Sequence, residues 1–301
     1  MSLAVNISSL TIRNPLMLAS GVLGTTPSML LKAYKAGAGA VVTKSLTLTP
    51  RAGNVNPVIV DLGYGLINAI GLANPGVHRF LEECTSIRDE LSNIPVVFSV
   101  AGFRIEDYVG AVKIIVESGL AKAIELNLSC PHVAETKAFS EDPKLAGRVV
   151  KEVCDISPVP VFVKLGFESN LLSVAESVVK HGASAITAIN TIRSMAIDIR
   201  AKRPVLSSIY GGLSGPSLKP IALRVIYDLY ENFEIPLIGV GGVNTWMDVI
   251  EYMLAGARAV QIGTAIRKRG LKLFKEIIRG IENFMEEEGI RDLKEIVGAA
   301  H

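Results

Sequence analysis

Cysteine is scarce in this chain: Cys84, Cys130 and Cys154 are the three present in 301 residues. Their odd number and wide spacing exclude a disulfide framework. With no Cys-x-x-Cys pair and only scattered histidines (His78, His132, His181, His301), there is no recognisable zinc or iron–sulfur motif either. An excess of one charge is also lacking. Against 31 Lys and Arg stand 29 Asp and Glu, a net charge of +2, so nothing draws the chain electrostatically to nucleic acid or an acidic membrane. No apolar run approaches the ~18 residues of a membrane span, and the N-terminus lacks the basic-then-apolar pattern of a secretion signal. A soluble, cytoplasmic protein is expected. Glutamine occurs once, at Gln261, a depletion that fits a thermophilic source.

What is present is apolar sequence in short, regularly spaced blocks, 49% of all residues. A short hairpin is expected at 4–7 and 10–12. Strand-like runs follow at 16–18, 40–43, 96–100, 123–128, 159–164, 185–189, 237–240 and 259–262. Helical patterns lie between them at 27–36, 76–92, 105–118, 143–155, 170–181, 218–231 and 245–255, and a charged amphipathic segment at 266–288 comes last. Strand-then-helix units imply a parallel sheet, and eight of them imply a closed (β/α)8 TIM barrel. With no linker or composition break, residues 1–301 are expected to form one domain. A doubly wound sheet would need Gly-x-Gly-x-x-Gly after its first strand; Gly37-Ala38-Gly39 instead precedes a strand.

Barrel chemistry lies at the carboxyl ends of the strands. Those ends read Ser20-Gly21, Lys44-Ser45, Ser99, Asn127, Lys164, Asn190-Thr191, Gly241-Gly242 and Gly263-Thr264. Lys44 and Lys164 each follow an apolar run with no charged partner next in sequence, and with the amides and hydroxyls they describe a pocket for an anionic, hydrogen-bonding ligand. Cys130 follows Asn127 closely, just before Pro131. A free cysteine is among the most buried residue types, so core is its plain reading; a strand tip in a barrel shifts the balance toward chemistry. Cys84 and Cys154 fall within helical patterns and read as core. His78 and His181 read as helix-surface or helix-end residues. Glu125 shares a strand face with Asn127 and should point into the barrel, where it needs a partner. Two long connections, 45–76 and 191–217, leave strand ends and should roof one mouth, while 131–142 is a candidate lid.

Two strand ends carry glycines that lead into helices, one through a capping-box-like Thr245-x-x-Asp248. Side-chain-free turns at the last two strands of this fold are its usual phosphate site. Phosphate on one side, with lysines, amides and a thiol beside it, suggests a flavin mononucleotide (FMN) enzyme. Lys164 is then the cation that offsets negative charge on the reduced ring, and Cys130 the base.

The runs Thr47 to Asn54, Asn68 to Gly76 and Asn127-Leu128-Ser129-Cys130-Pro131 resemble those of the class 1 dihydroorotate dehydrogenases, as do Asn190-Thr191, Gly211 to Gly215 and Gly241-Gly242. The resemblance spans nearly the whole chain. It implies an FMN-binding barrel that oxidises (S)-dihydroorotate to orotate in pyrimidine synthesis, with Cys130 taking the C5 proton as the C6 hydride passes to FMN. Lys44 joins Cys130 as a catalytic residue. Substrate would be held by Lys44, Asn68, Ala69, Ile70, Gly71, Leu72, Asn127, Asn190 and Thr191. FMN would be held by Ser20, Lys44, Ser45, Ser99, Asn127, Lys164, Ile189, Gly215, Gly241, Gly242, Gly263 and Thr264. His132 and Ser99 stand where relatives often carry Asn. The segment 138–143 is more similar to class 1B, which implies a homodimer core within a heterotetramer, an FAD/iron–sulfur partner subunit and NAD as final acceptor. Class 2 enzymes, with a serine base and an apolar N-terminal extension, are less similar.

Two other readings remain open on sequence. One is a related FMN barrel for another dihydropyrimidine, such as a dihydropyrimidine dehydrogenase catalytic domain or a tRNA-dihydrouridine synthase, the latter of which should carry a basic RNA-binding extension. The other is a non-catalytic flavin-binding barrel, which would have no use for Cys130, Lys44 and Lys164.

Overall fold

The computed structural model describes residues 1–128 and 139–301. Eight parallel strands close into a barrel in chain order: β1 (Leu16–Leu18), β2 (Ala40–Val42), β3 (Val96–Val100), β4 (Ala123–Asn127), β5 (Val161–Leu165), β6 (Ala185–Ala188), β7 (Leu237–Val240) and β8 (Ala257–Ile262). Eight helices are considered with them: α1 (Pro27–Lys35), α2 (Val77–Cys84), α3 (Ile105–Glu117), α4 (Pro143–Cys154), α5 (Leu171–Lys180), α6 (Lys219–Asn232), α7 (Trp246–Leu254) and α8 (Leu273–Glu287). The sequence-based (β/α)8 expectation holds.

Strands in such a barrel are buried on both faces, and their alternation sorts side chains into two cores. Ile124 and Leu126 of β4 face the helices with Val96, Phe98, Val161 and Val163. Ala123 instead joins Met17, Ala40, Val97, Phe162, Ala185, Ile238 and Ala259 inside the barrel. Two residues further along the same inward face, several strands turn polar: Ser99, Glu125, Lys164, Thr187 and Gln261 are all buried. The interior is therefore apolar at the amino end and polar toward the mouth. The hairpin Val5–Ile7/Leu10–Ile12 plugs the apolar end, with Val5, Ile7, Leu10 and Ile12 in the same cluster.

Several sequence-based boundaries change for local reasons. The helix expected at 76–92 ends at Cys84 and resumes at Arg88–Ser92 after a 3-10 turn, because Ile87 leaves helical geometry (φ −132°, ψ 30°). The segment 266–288 breaks at Gly270, whose φ of +68° ends the helix Thr264–Arg269 before α8 begins. The fifth strand starts at Val161, past Pro160, and extends to Leu165. The two long connections are not irregular. Ile59–Asp61 and Leu66–Asn68 from the first pair with Gly211–Ser214 and Ile192–Ser194 from the second, giving one four-stranded antiparallel sheet. Among the described residues no helix is long and apolar enough to cross a membrane.

If the hairpin is a structural plug, Ile7→Ala should leave a cavity in the barrel floor and cost about 2–5 kcal/mol. The urea midpoint should fall with an unchanged slope; an unchanged midpoint would show that the hairpin contributes little.

Candidate functional site

A cavity of about 570 Å³ opens at the carboxyl ends of the strands, within the ~300–1,000 Å³ range of cofactor and ligand sites. Its lining includes Ser20, Lys44, Ser45, Asn127 and Lys164 from the ends of β1, β2, β4 and β5, and Ile189, Asn190 and Thr191 after β6. Gly241 and Gly242 line it after β7, Gly263 and Thr264 after β8, and the roof contributes Asn68, Ile70, Gly71, Leu72 and Gly215. Two expected residues do not line it. Ala69 is fully buried in the roof against Ile67 and Leu206. Ser99 is fully buried one layer back, with its Oγ 2.9 Å from Ser45 Oγ. Cys130, His132 and most of the candidate lid at 131–142 lie outside the described residues.

One wall is a chain of hydrogen bonds that fixes each polar group through the next. Ser20 Oγ lies 3.2 Å from Ser45 Oγ, to which Asn127 Nδ2 donates at 3.1 Å. Asn190 Nδ2 donates to Asn127 Oδ1 at 3.2 Å, and Asn190 Oδ1 accepts from the Thr191 N–H at 2.9 Å. These bonds settle the orientation of the Asn127 amide. From behind, Tyr108 OH donates to the Asn127 carbonyl at 3.0 Å while its ring packs against Phe139, where the described chain resumes. Thr191 Oγ1 is buried without a hydrogen-bond partner among the described residues. A buried hydroxyl in that condition at a cavity wall is suited to a ligand.

The floor is ionic. Lys164 Nζ donates to Gln261 Oε1 at 2.9 Å, and the Gln261 amide nitrogen donates to Glu125 Oε2. Thr187 Oγ1 donates to the same oxygen at 3.1 Å, and Glu125 Oε1 stands 3.9 Å from Lys164 Nζ. Lys164 has no charged partner next in sequence, as expected; its partner comes from the neighbouring strand. Glu125 does point inward and does find partners, as its alternation with Asn127 suggested.

The roof is pinned by asparagines. Asn54 Nδ2 donates to the Ala69 carbonyl at 2.9 Å, and the Asn54 N–H to that of Ile70 at 3.1 Å. Asn74 donates to Thr47 Oγ1 and the Leu72 carbonyl, and accepts from the N–H groups of Thr47 and Gly76. Gly71 is required here: its φ is +72°, and a Cβ would meet Asn54 within 2.8 Å. On the glycine side, Thr245 and Asp248 form the expected capping box at the start of α7. Burial pushes the Asp248 carboxyl up, but the Lys219 ammonium at 2.7 Å and the N–H groups of Asn244 and Thr245 outweigh it and hold it below the usual range.

Sequence reasoning did not assign roles to Gln261, Asn74 or Ser214, whose Oγ accepts from Thr264 Oγ1 at 2.9 Å. Gln261 could have been found from its inward register on β8; Asn74 and Ser214 carry no such periodic signal.

Fold and site together define a (β/α)8 barrel with a small-molecule site at its carboxyl-end mouth. The family model for dihydroorotate dehydrogenase matches residues 2–285, and the chain belongs to that family. It is 47% identical over 300 residues to the "Dihydroorotate dehydrogenase B (NAD(+)), catalytic subunit" of Pyrococcus abyssi, covering 99% of each chain. It is 45% identical over 303 residues to the protein of that name from Methanocaldococcus jannaschii, covering 99% of this chain and 98% of the relative. A dihydroorotate dehydrogenase from Eimeria tenella, solved with ferulenol, shares the fold at a TM-score of 0.85 and 21% identity, covering 99% of this chain and 88% of that one. Family membership implies a flavin cofactor.

The thiols outside the site should be inert. Burial pushes Cys84 up to about 12 and Cys154 up to about 11, the latter helped by Asp155. At about pH 8 their thiolate fractions are negligible, so iodoacetamide should leave both unmodified in the folded protein. Rapid alkylation of either, read by mass spectrometry, would contradict this placement.

Proposed function

We propose that this chain is the catalytic subunit of an NAD-linked dihydroorotate dehydrogenase. It binds FMN, oxidises (S)-dihydroorotate to orotate in the cytoplasm, and passes the electrons to an external acceptor. The observation that carries this reading is one cavity that combines glycine turns after β7 and β8, a hydrogen-bonded chain of hydroxyls and amides from β1 to β6, and an ammonium on its floor.

The residues fit the cofactor. A Cβ on Gly263, whose φ is negative, would meet only Ala19 and Val22, at 3.4 and 3.5 Å. The protein's own packing therefore does not demand glycine there, and the space belongs to the cavity. A phosphate would lie against the backbone of Gly241, Gly242, Gly263 and Thr264. Ser20, Lys44, Ser45, Asn127, Ile189 and Gly215 would hold the rest, with Ser99 supporting Ser45 from behind. When bound, FMN supplies a two-electron acceptor for the hydride that leaves C6 of the substrate. The Lys164 ammonium would offset the negative charge that reduction places on the pyrimidine edge of the ring.

Substrate would be held by Lys44, the 68–72 roof, Asn127, Asn190 and Thr191. The amide of Asn127 gives one N–H to Ser45 and takes one from Asn190. Its second N–H and second lone pair remain for a ring that presents imide oxygens and N–H groups. Lys44 suits the substrate carboxylate. Cys130, three residues beyond the end of β4, would take the C5 proton as a thiolate.

The relatives' "catalytic subunit" names support an electron-transfer partner; by this reading it is an FAD/iron–sulfur subunit in a heterotetramer built on a homodimer of this chain. Exposed apolar side chains concentrate on the two connections that form the roof: Val55, Tyr64, Ile197 and Ile199 are each more than half exposed. Such a face suits a subunit contact.

Anaerobic mixing tests the reaction. Dihydroorotate should bleach the bound flavin and dihydrouracil should not. Cys130→Ala should retain FMN while flavin reduction slows by ~10²–10⁴-fold. Failure to bind FMN would sink the reading, and fast reduction in the variant would remove Cys130 as the base.

A further inference from the structure

Glu125 has no place on the cavity surface, yet it is a fully buried carboxylate directly beneath it. Both of its neighbours on the cavity side, Lys164 and Gln261, do line the cavity. The geometry orders three groups from ligand to core: ammonium, amide, carboxylate. Gln261 can adopt only one orientation between them. Its carbonyl accepts from Lys164 and its nitrogen donates to Glu125; a flipped amide would set oxygen against carboxylate and nitrogen against ammonium. Thr187 adds a second donor to the same carboxylate oxygen. The other oxygen, Oε1, makes no hydrogen bond among the described groups and faces Lys164 Nζ at 3.9 Å.

We propose that Glu125, with Gln261 as its bridge, is a positioning residue that sets the electrostatic potential Lys164 presents to the flavin, so that the ring meets a compensated ion pair rather than a bare cation. This rests on the flavin reading above. A bare buried ammonium would favour the reduced, negatively charged ring strongly, because Coulomb interactions are only weakly screened in a low-dielectric interior. Reduced flavin must release its electrons in every turnover, so excessive stabilisation would slow the oxidative half. A counter-charge about one side chain further from the cavity cancels part of that field while leaving Lys164 in place.

The test is the FMN midpoint potential of the flavin-loaded protein at neutral pH, measured by anaerobic dye equilibration. In Glu125→Gln the carboxylate charge disappears at nearly constant shape. The preference for reduced over oxidised FMN should rise by about tenfold, a positive shift of ~30 mV for a two-electron couple. Glu125→Asp keeps the charge but draws it away from Lys164 and should shift the potential in the same direction by less; it carries the test if Glu125→Gln does not fold. Thr187→Val removes a hydrogen bond to the same carboxylate without removing charge and should keep the wild-type potential, which separates field from mere packing. An unchanged or more negative potential in the Glu125 variant that folds would overturn the inference. Wild-type protein that takes up no flavin would instead overturn the functional reading itself.

Discussion

A buried ammonium needs an anion, and the architecture around Lys164 follows from that need. Desolvating a lone charge costs several kcal/mol even after relaxation, and Coulomb attraction offsets this only where geometry and further hydrogen bonds are good. Here the partner is supplied by Glu125, the bridge by Gln261 and an extra donor by Thr187. These four side chains come from β5, β4, β8 and β6. A flat sheet could not bring strands four places apart into contact through their side chains; a closed barrel does so across its own axis. The ion pair itself joins neighbouring strands, and it is the Gln261 bridge to Glu125 that depends on ring closure.

The remaining features secure that arrangement. The apolar layer at the amino end, sealed by the hairpin, keeps water from the ion pair from below. Above it, the hydrogen-bonded run from Ser20 to Thr191 locks amides whose orientation would otherwise be free. The roof sheet joins two distant connections and places the Asn68–Leu72 strip over the mouth, with Asn54 and Asn74 satisfying its backbone groups. The result is a rigid pocket with a charged floor and a hydrogen-bonding wall.

Much of this was legible in the sequence. The eight strand positions followed from short apolar runs ended by polar residues, and every strand-tip residue read there except Ser99 lines the cavity. The inward direction of Glu125 was readable from its alternation with Asn127. The Lys164–Glu125 pair was not, because period-two patterning gives the face of each strand but not the register at which neighbouring strands pair. The roof sheet was hidden for a related reason. Its strands are three or four residues long, and the pairing that joins the two connections, Leu66–Asn68 with Gly211–Ser214, spans more than 100 positions in sequence, beyond any local signal. Asn74 belonged to a motif quoted only for its resemblance; its four hydrogen bonds show that it braces the strip rather than facing the cavity.

The central claim is that one cavity holds FMN with its phosphate at the glycine turns and its ring over the Lys164–Glu125 pair. A crystal structure of the flavin-loaded protein with orotate tests this most directly. The account predicts phosphate oxygens within hydrogen-bond distance of backbone N–H groups among Gly241, Gly242, Gly263 and Thr264, the pyrimidine edge of the ring at Lys164 Nζ, and orotate beneath the 68–72 strip beside Asn127. A flavin bound elsewhere, or bound here with its phosphate away from those turns and its ring out of reach of Lys164, would contradict it.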